Sequence, residues 1–406
     1  MYEALDYTPV RLPEGKRVAV VRAYMAHHQG MNLLSLAHLI LDRPMQRRFE
    51  SDPLFKAALL LLQERIPKSS AFHKHVVEHS EGSAFIDAAE RSLHTPIGAD
   101  TPTPEAQLLS NGRYHVMVTN GGGGYSRWRD FAVTRWREDS TCDNWGSFLY
   151  LRDVATGQYW SAAHQPTLAR ADSYEVMFPE GRAEFRRRDH DYETYSEIVV
   201  SPEDDIELRR VRITNHSLER RTIEVTSYAE VVLAPPVADA IQPSFGNLFV
   251  QTAILRARHA ILCTRRPRSI GEHVPWSFHL LAARGEGITG ISYETDRMKF
   301  IGRGRTVASP LAFADDDALS GTEGSVLDPI VAIRCRVALE PGQSATLDFV
   351  SGAGGSRESC MGLIEKYQDR HLADRVFDLA WTHSNVILSQ INASASDAQL
   401  YRHLAS

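Results

Sequence analysis

Three runs follow one another in the middle of the chain: Thr194-Tyr-Ser-Glu-Ile-Val-Val200, Ile206-Glu-Leu-Arg-Arg-Val-Arg-Ile213 and Thr222-Ile-Glu-Val-Thr-Ser-Tyr228. Each alternates with a period of two, which puts every second side chain on one face of an extended strand. The links, Ser201-Pro-Glu-Asp-Asp205 and Asn215-His-Ser217, are turn sequences. Strand, turn and strand in immediate succession predict antiparallel neighbours.

Working outward, the same period holds at Tyr114-His-Val-Met-Val118, Phe148-Leu-Tyr-Leu151, Ala183-Glu-Phe185, Phe278-His-Leu-Leu281 and Ile330-Val-Ala-Ile333. Few helical patterns intervene, so the segment 105–355 is expected to be mainly β, a large antiparallel β-sandwich. Its span of about 250 residues, against about 100 for an immunoglobulin domain, requires large sheets.

Helical periodicity frames this core on both sides. Residues 18–42 carry Val21, Met25, Leu33, Leu36, Leu39 and Ile40 at helical spacing, with Gly30 inside the pattern, so a kinked helix or a loop leading into one is expected. A second helix is expected over 52–65, with Asp52 as N-cap and Pro53 at the first helical position. Residues 69–104 turn polar and irregular and read as a connector. From Ser356 helical runs return. The expected organisation is a helical segment over 1–68, the connector 69–104, the sandwich 105–355 and linker helices over 356–406. Both ends are expected to be cut within structured regions of a longer polypeptide.

Composition narrows the function classes. With 406 residues, 24% of them charged, and a formal net charge of −6, the chain gives no reason to expect nucleic acid or an anionic membrane as partner. It has no apolar run of about 18 residues, so no membrane insertion is expected. Cys142, Cys263, Cys335 and Cys360 stand too far apart for a disulfide framework or a zinc site, which predicts free thiols in a reducing, cytoplasmic compartment.

Four groups of residues could carry chemistry. His27, His28 and Gln29 precede Gly30 and offer polar groups for sugar hydroxyls; adjacent histidines on a helix diverge by about 100°, so no metal is expected there. Glu3 and Asp6 stand three apart, on one face if their segment is helical. Glycoside chemistry needs two carboxyls of opposite protonation, yet a solvated N-terminal turn is the favoured reading of this pair. Gly121 to Gly124 form a glycine run followed by Tyr125, Arg127 and Trp128, with Trp136 and Trp145 beyond. Flat faces and forked donors suit pyranose rings, whereas a wide inter-strand loop with core aromatics would use the same residues. Finally, Glu294-Thr-Asp296-Arg297-Met-Lys-Phe300-Ile-Gly302-Arg303-Gly304-Arg305 reads either as a flexible, cationic loop reaching out of its domain toward an anionic or polyhydroxylated ligand, or as a solvated charge run. The triplet Arg186, Arg187 and Arg188 reads as a solvated strand-end patch.

These stretches resemble a known family. The runs AYMAHHQGMNLLSLAHLIL and MQRRFESDPLFKAALLLLQERIP resemble the end of the glycoamylase-like α/α-barrel region of bacterial cyclic β-1,2-glucan synthases. The run from PEAQLLSNGRYHVMVTNGGGGYSRW to SFLYLRD is similar to the N-terminal super-sandwich of glycoside hydrolase family 94, formerly glycosyltransferase family 36, which contains cellobiose and chitobiose phosphorylases. ETDRMKFIGRGR, LDPIVAIR and WTHSNVILSQINASASDAQLY are similar to its later strands and linker helices.

The resemblance implies a galactose mutarotase-like super-sandwich, β-glucan oligosaccharides as ligands, no cofactor, and a place on the cytoplasmic side of the inner membrane within a full-length synthase. In such synthases a membrane-bound part makes linear β-1,2-glucan, the glycoamylase-like part closes the ring, and the phosphorylase-like part is associated with control of chain length. In the phosphorylases an Asp of a second α/α-barrel is the general acid while phosphate attacks with inversion; that barrel is expected to begin after Ser406. The implied role is carbohydrate binding without a complete catalytic set. Together with the chemistry of the cationic loop, the resemblance adds Arg303 and Arg305 as the residues projecting toward an anionic or polyhydroxylated ligand. Two other readings stay open: an interaction module that forms a homodimer or joins the rest of a synthase, and a small glycosidase using Glu3 with Glu138 or Asp139.

Overall fold

The computed structural model describes residues 4–7, 18–22, 26–52, 98–102, 104–139, 141–267, 272–283, 287–393, 397 and 400. Glu3, the helix expected after Asp52, most of the 69–104 connector and nearly all of the run after Ala393 lie outside the described residues. The chain divides into two compact units, residues 1–82 with 268–272, and the remainder.

In the first unit β1 (Ala4–Asp6) pairs antiparallel with β2 (Ala19–Val21). Helices α1 (Ala26–Ile40) and α2 (Pro44–Glu50) follow. The helical run read from residue 18 therefore divides. Its valine-rich start holds a strand, because β-branched Val20 and Val21 lose rotamer freedom in a helix and fit a pleated surface. Asp6 likewise sits on a strand and not on a helix.

In the second unit strands run from Ala106 to Gly354. One sheet has eight strands in the order β14 (Val250–Leu255), β15 (Ala260–Arg265), β16 (Trp276–Ala283), β19 (Ser344–Gly354), β12 (Ile206–Asn215), β11 (Tyr192–Val200), β10 (Arg182–Asp189) and β9 (Ser173–Met177). The other follows β17 (Ile288–Asp296), β18 (Pro329–Leu339), β13 (Arg221–Ala234), β6 (Phe131–Thr134), β5 (Gly124–Trp128), β4 (Tyr114–Thr119) and β3 (Ala106–Ser110). The pair β7 (Ser147–Asp153) and β8 (Tyr159–Ser161) completes it. The pairings are antiparallel, and the three runs that opened the reading are β11, β12 and β13.

β13 organises the second sheet. One edge pairs with β18; the other takes β7 opposite Ile223 to Ala229 and then β6 opposite Val231 and Ala234. The register shifts between those last two, where buried Leu233 adopts φ +52°. Such a bulge lets one strand leave the edge and another begin.

Between the sheets lies a core that includes Leu149, Leu151, Val211, Ile213, Val225, Ile333, Leu347 and Phe349. A second apolar layer joins the outer face of the eight-stranded sheet to α6 (Arg357–Tyr367) and α7 (Arg370–Gln390), through Leu208, Leu262, Phe278, Ile364, Tyr367 and Val376. Ser356 and Asp369 cap these helices by accepting the N–H groups of Ser359 and His371. The arginine triplet is split by strand alternation. Arg186 and Arg188 are exposed, but Arg187 is 1% exposed and pairs with Asp189 at 2.7 Å. This corrects the solvated reading for the middle residue.

Candidate functional site

β17 and β18 are direct partners, with Asp296 opposite Pro329, yet residues 297–328 intervene between them. The excursion starts at α5 (Arg297–Ile301), where Asp296 accepts the Met298 N–H at 2.9 Å. Gly302 ends the helix at φ +83°, with Leu311 in the space a Cβ would occupy. Helical spacing turns Phe300 and Ile301 down onto Phe148, Tyr150, Tyr228 and Ile330 on the outer face of the second sheet, joined by Phe313. The Tyr150 hydroxyl donates to the Val307 carbonyl at 2.7 Å.

Arginines fasten the far side. Glu224 is fully buried and pairs with Arg334 at 3.2 Å and Arg336 at 2.9 Å. Arg334 donates to the carbonyls of Ala312 and Asp317, Arg336 to that of Asp316, and Arg152 to that of Asp315. Burial pulls the Arg334 guanidinium down to about 10 despite Glu224. Guanidinium forks meeting backbone carbonyls immobilise a loop that has no ladder of its own. At the exposed turn of this fixed excursion stand Arg303, Gly304 at φ +76° and Arg305.

Other charged residues of the motif are structural. Glu294 is buried and accepts the N–H groups of Thr295 and Asp296. Arg297 pairs with Glu230 at 2.7 Å. Glu230 also holds Arg135 at 2.6 Å, and Arg135 reaches Asp239 at 3.3 Å and Asn247 at 2.7 Å. This network ties β6 and β13 to the short helices α3 (Pro236–Ile241) and α4 (Pro243–Asn247), in chain order before α5. Sequence reasoning missed it. Its signal was Glu224 and Glu230 standing as single acids inside the apolar run of β13, since a buried charge needs a partner.

The glycine run packs against protein. A Cβ on Gly123 would meet the Asp143 carboxylate, one on Gly122 would meet Ala163, and one on Gly124 would meet the Met117 carbonyl. Thr119 hydrogen-bonds Asp143, and desolvation raises that carboxyl to about 6. Trp128 is 5% exposed; its indole N–H donates to Asp205 at 2.8 Å and Arg129 covers its ring at 4.8 Å. Arg127 is half-buried on the other side of β5, its Nε buried without a partner. Tyr125 and Trp136 meet edge to face at 5.5 Å.

The sequence-predicted residues fall in separate places. Arg127 and Trp128 share β5, while Arg303 and Arg305 follow β17, four strand positions away, or about 19 Å at the usual strand spacing. His27, His28 and Gln29 lie exposed on α1 in the other unit, with the two imidazoles 4.0 Å apart. Glu138 and Asp139 are exposed, and the hydroxyl and N–H of Thr141 hold Asp139 below its usual range. That is the opposite of what a general acid needs. Among the described residues no three His, Cys, Asp or Glu side chains gather as a metal site, and no helix is long and apolar enough to cross a membrane.

Residues 90–370 match the family described as glycosyl hydrolase 94, supersandwich domain. The chain is 37% identical to the cyclic β-(1,2)-glucan synthase NdvB of Rhizobium meliloti over 99% of its own length and 14% of that protein's. It is 26% identical to the N,N'-diacetylchitobiose phosphorylase of Vibrio furnissii, covering 68% of this chain and 34% of the phosphorylase. To the solabiose phosphorylase of Paenibacillus borealis it is 25% identical, over 66% and 34%. The chain thus spans about a third or less of these relatives.

Proposed function

The chain belongs to the glycosyl hydrolase 94 supersandwich family, and from that premise we propose that it is the carbohydrate-binding portion of a β-1,2-glucan-processing synthase. It works beside catalytic parts of a longer polypeptide and completes no glycosyl transfer by itself. The observation that carries this reading is the excursion between β17 and β18. Its base is fastened by an aromatic cluster and three arginines, and it presents Arg303 and Arg305 to solvent. Two guanidinium forks on a fixed loop bind hydroxyls or phosphate oxygens at little ordering cost. The ligand proposed is a β-glucan oligosaccharide, as the synthase relative's name suggests.

Calorimetric titration of the whole chain with β-1,2-gluco-oligosaccharides tests it. Saturable binding is expected, weakened about 10-fold or more in Arg303→Ala/Arg305→Ala, which removes charge-assisted bonds. No heat at millimolar sugar overturns the reading.

A second reading, an assembly surface, is favoured by one observation. Val237, Ile241, Phe245 and Leu248 are exposed around α3 and α4, and grouped exposed apolar residues mark contact sites. A concentration-dependent dimer in sedimentation, abolished by Ile241→Asp/Phe245→Asp, would favour it.

A further inference from the structure

Behind the glycine run, between the two sheets, lies a small pocket that the reading above does not use. Apolar Leu149, Phe185 and Ile198 form its walls, and Ser196, Gln165 and Arg209 add polar atoms. Ala162, Ala163 and Gln165, from the segment 161–169, line one side of it. Buried Arg187 holds them there by donating to the carbonyls of Ala163 and Ala169 at 2.8 and 2.9 Å.

Three observations define what the pocket accepts. First, Ser196 is 7% exposed and its Oγ, buried in the lining, has no hydrogen-bond partner. A buried hydroxyl without a partner is costly, so a site that leaves one favours a ligand able to satisfy it. Second, the Arg209 guanidinium is already engaged, with Glu207 at 2.9 Å and the Ser147 carbonyl at 3.0 Å. Its charge is neutralised, which points to an uncharged ligand instead of a phosphate. Third, the cavity of about 30 Å³ holds about two water-sized positions, at roughly 10–15 Å³ each. A whole pyranose ring does not fit. A two-atom group does.

We propose that this pocket is a subsite for the hydroxymethyl arm of a neutral hexopyranosyl unit. The methylene carbon contacts Leu149, Phe185 and Ile198, the arm's hydroxyl pairs with Ser196 Oγ, and the ring remains at the mouth beside the half-exposed Gln165. This rests on the carbohydrate reading and adds to it a preference for hexose over pentose.

The test compares methyl β-D-glucoside with methyl β-D-xyloside, which lacks the arm, by calorimetric titration of the full chain. About 10-fold tighter binding of the glucoside is expected, reduced severalfold in Ser196→Ala and lost in Ser196→Val, which fills the pocket. Circular dichroism and the thermal midpoint check that each variant folds. Equal binding of the two glycosides by the unaltered chain, binding of neither, or unchanged discrimination in a folded Ser196→Val, overturns the subsite. Oligosaccharide binding that depends on Arg303 and Arg305 and persists in Ser196→Val separates the two readings. With that binding present, failure of the glycoside comparison removes the subsite alone.

Discussion

At the scale of single residues, Asp143 shows how a glycine run follows from packing. Its carboxylate occupies the space that a side chain on Gly123 would need, and hydrogen-bonds Thr119. Desolvation raises its pKa from 3.8 to about 6. A carboxyl whose folded pKa lies above its unfolded one keeps its proton longer in the native state. Stability therefore falls as pH rises from about 4 through about 6, then levels off, by on the order of 2–3 kcal/mol. Asp143→Asn should remove that loss. Relative to the unaltered chain it should be near neutral at pH 4 and more stable by on the order of 2–3 kcal/mol at pH 7.5. Urea midpoints across this range check it; a difference that does not change with pH would rule out a raised Asp143. Sequence reading left the glycine run open between ligand approach and an inter-strand loop. The partners that fill it, Asp143 and Ala163, are brought in by β7, β8 and the loops beside them, so no local signal could have named them.

At the scale of elements, the excursion after β17 is the clearest case of a motif read correctly as charged yet incompletely as structure. Of its charged residues Arg303 and Arg305 stand free at the turn, whereas Glu294 and Arg297 are engaged with neighbouring elements. Period and composition marked a cationic loop. They could not show that Phe300 would be fully buried against Tyr228, because that contact belongs to the outer face of a sheet built from distant strands. Truncating Phe300 to Ala should cost about 3–5 kcal/mol, as for other buried aromatics. Arg336→Ala is subtler: it removes donors to Glu224 and to the Asp316 carbonyl from a half-exposed side chain. The excursion should then open locally, with faster proteolysis between residues 303 and 324 and weaker oligosaccharide binding, while the global urea midpoint moves little. Unchanged cleavage and unchanged affinity would show that the aromatic cluster fixes the loop unaided.

At the scale of the whole molecule, alternation along β11, β12 and β13 was enough to read the sandwich, and the helical flanks were legible in part. α6 and α7 close one outer face, but the strand Ala19–Val21 was hidden inside an apolar run whose spacing also fits a helix. Polar contacts across the two sheets were not legible, since alternation assigns a face and not a partner. His279 is the clearest of them. It lies on β16, beside Ser351 of β19, and reaches Ser227 of β13 in the opposite sheet, with both hydroxyls at 2.8 Å. With its O–H donated to the Ile333 carbonyl and the Ile333 N–H accepted, the Ser227 oxygen accepts the Nε2–H of His279, and Nδ1 accepts from the Ser351 hydroxyl. The imidazole is thereby neutral, and burial lowers its pKa to about 3. A histidine depressed below its unfolded value of 6.5 contributes fully above that pH and is lost as pH falls toward 3. His279→Gln bridges less well and does not titrate. At pH 7.5 it should be about 1–3 kcal/mol less stable than the unaltered chain, through imperfectly paired hydroxyls. Below pH 6 the unfolded chain of the parent takes up the proton that the variant cannot, so the gap should narrow or reverse by pH 4.5. Paired guanidinium midpoints at the two pH values decide it: a gap of constant size would mean that His279 is not held neutral between the sheets.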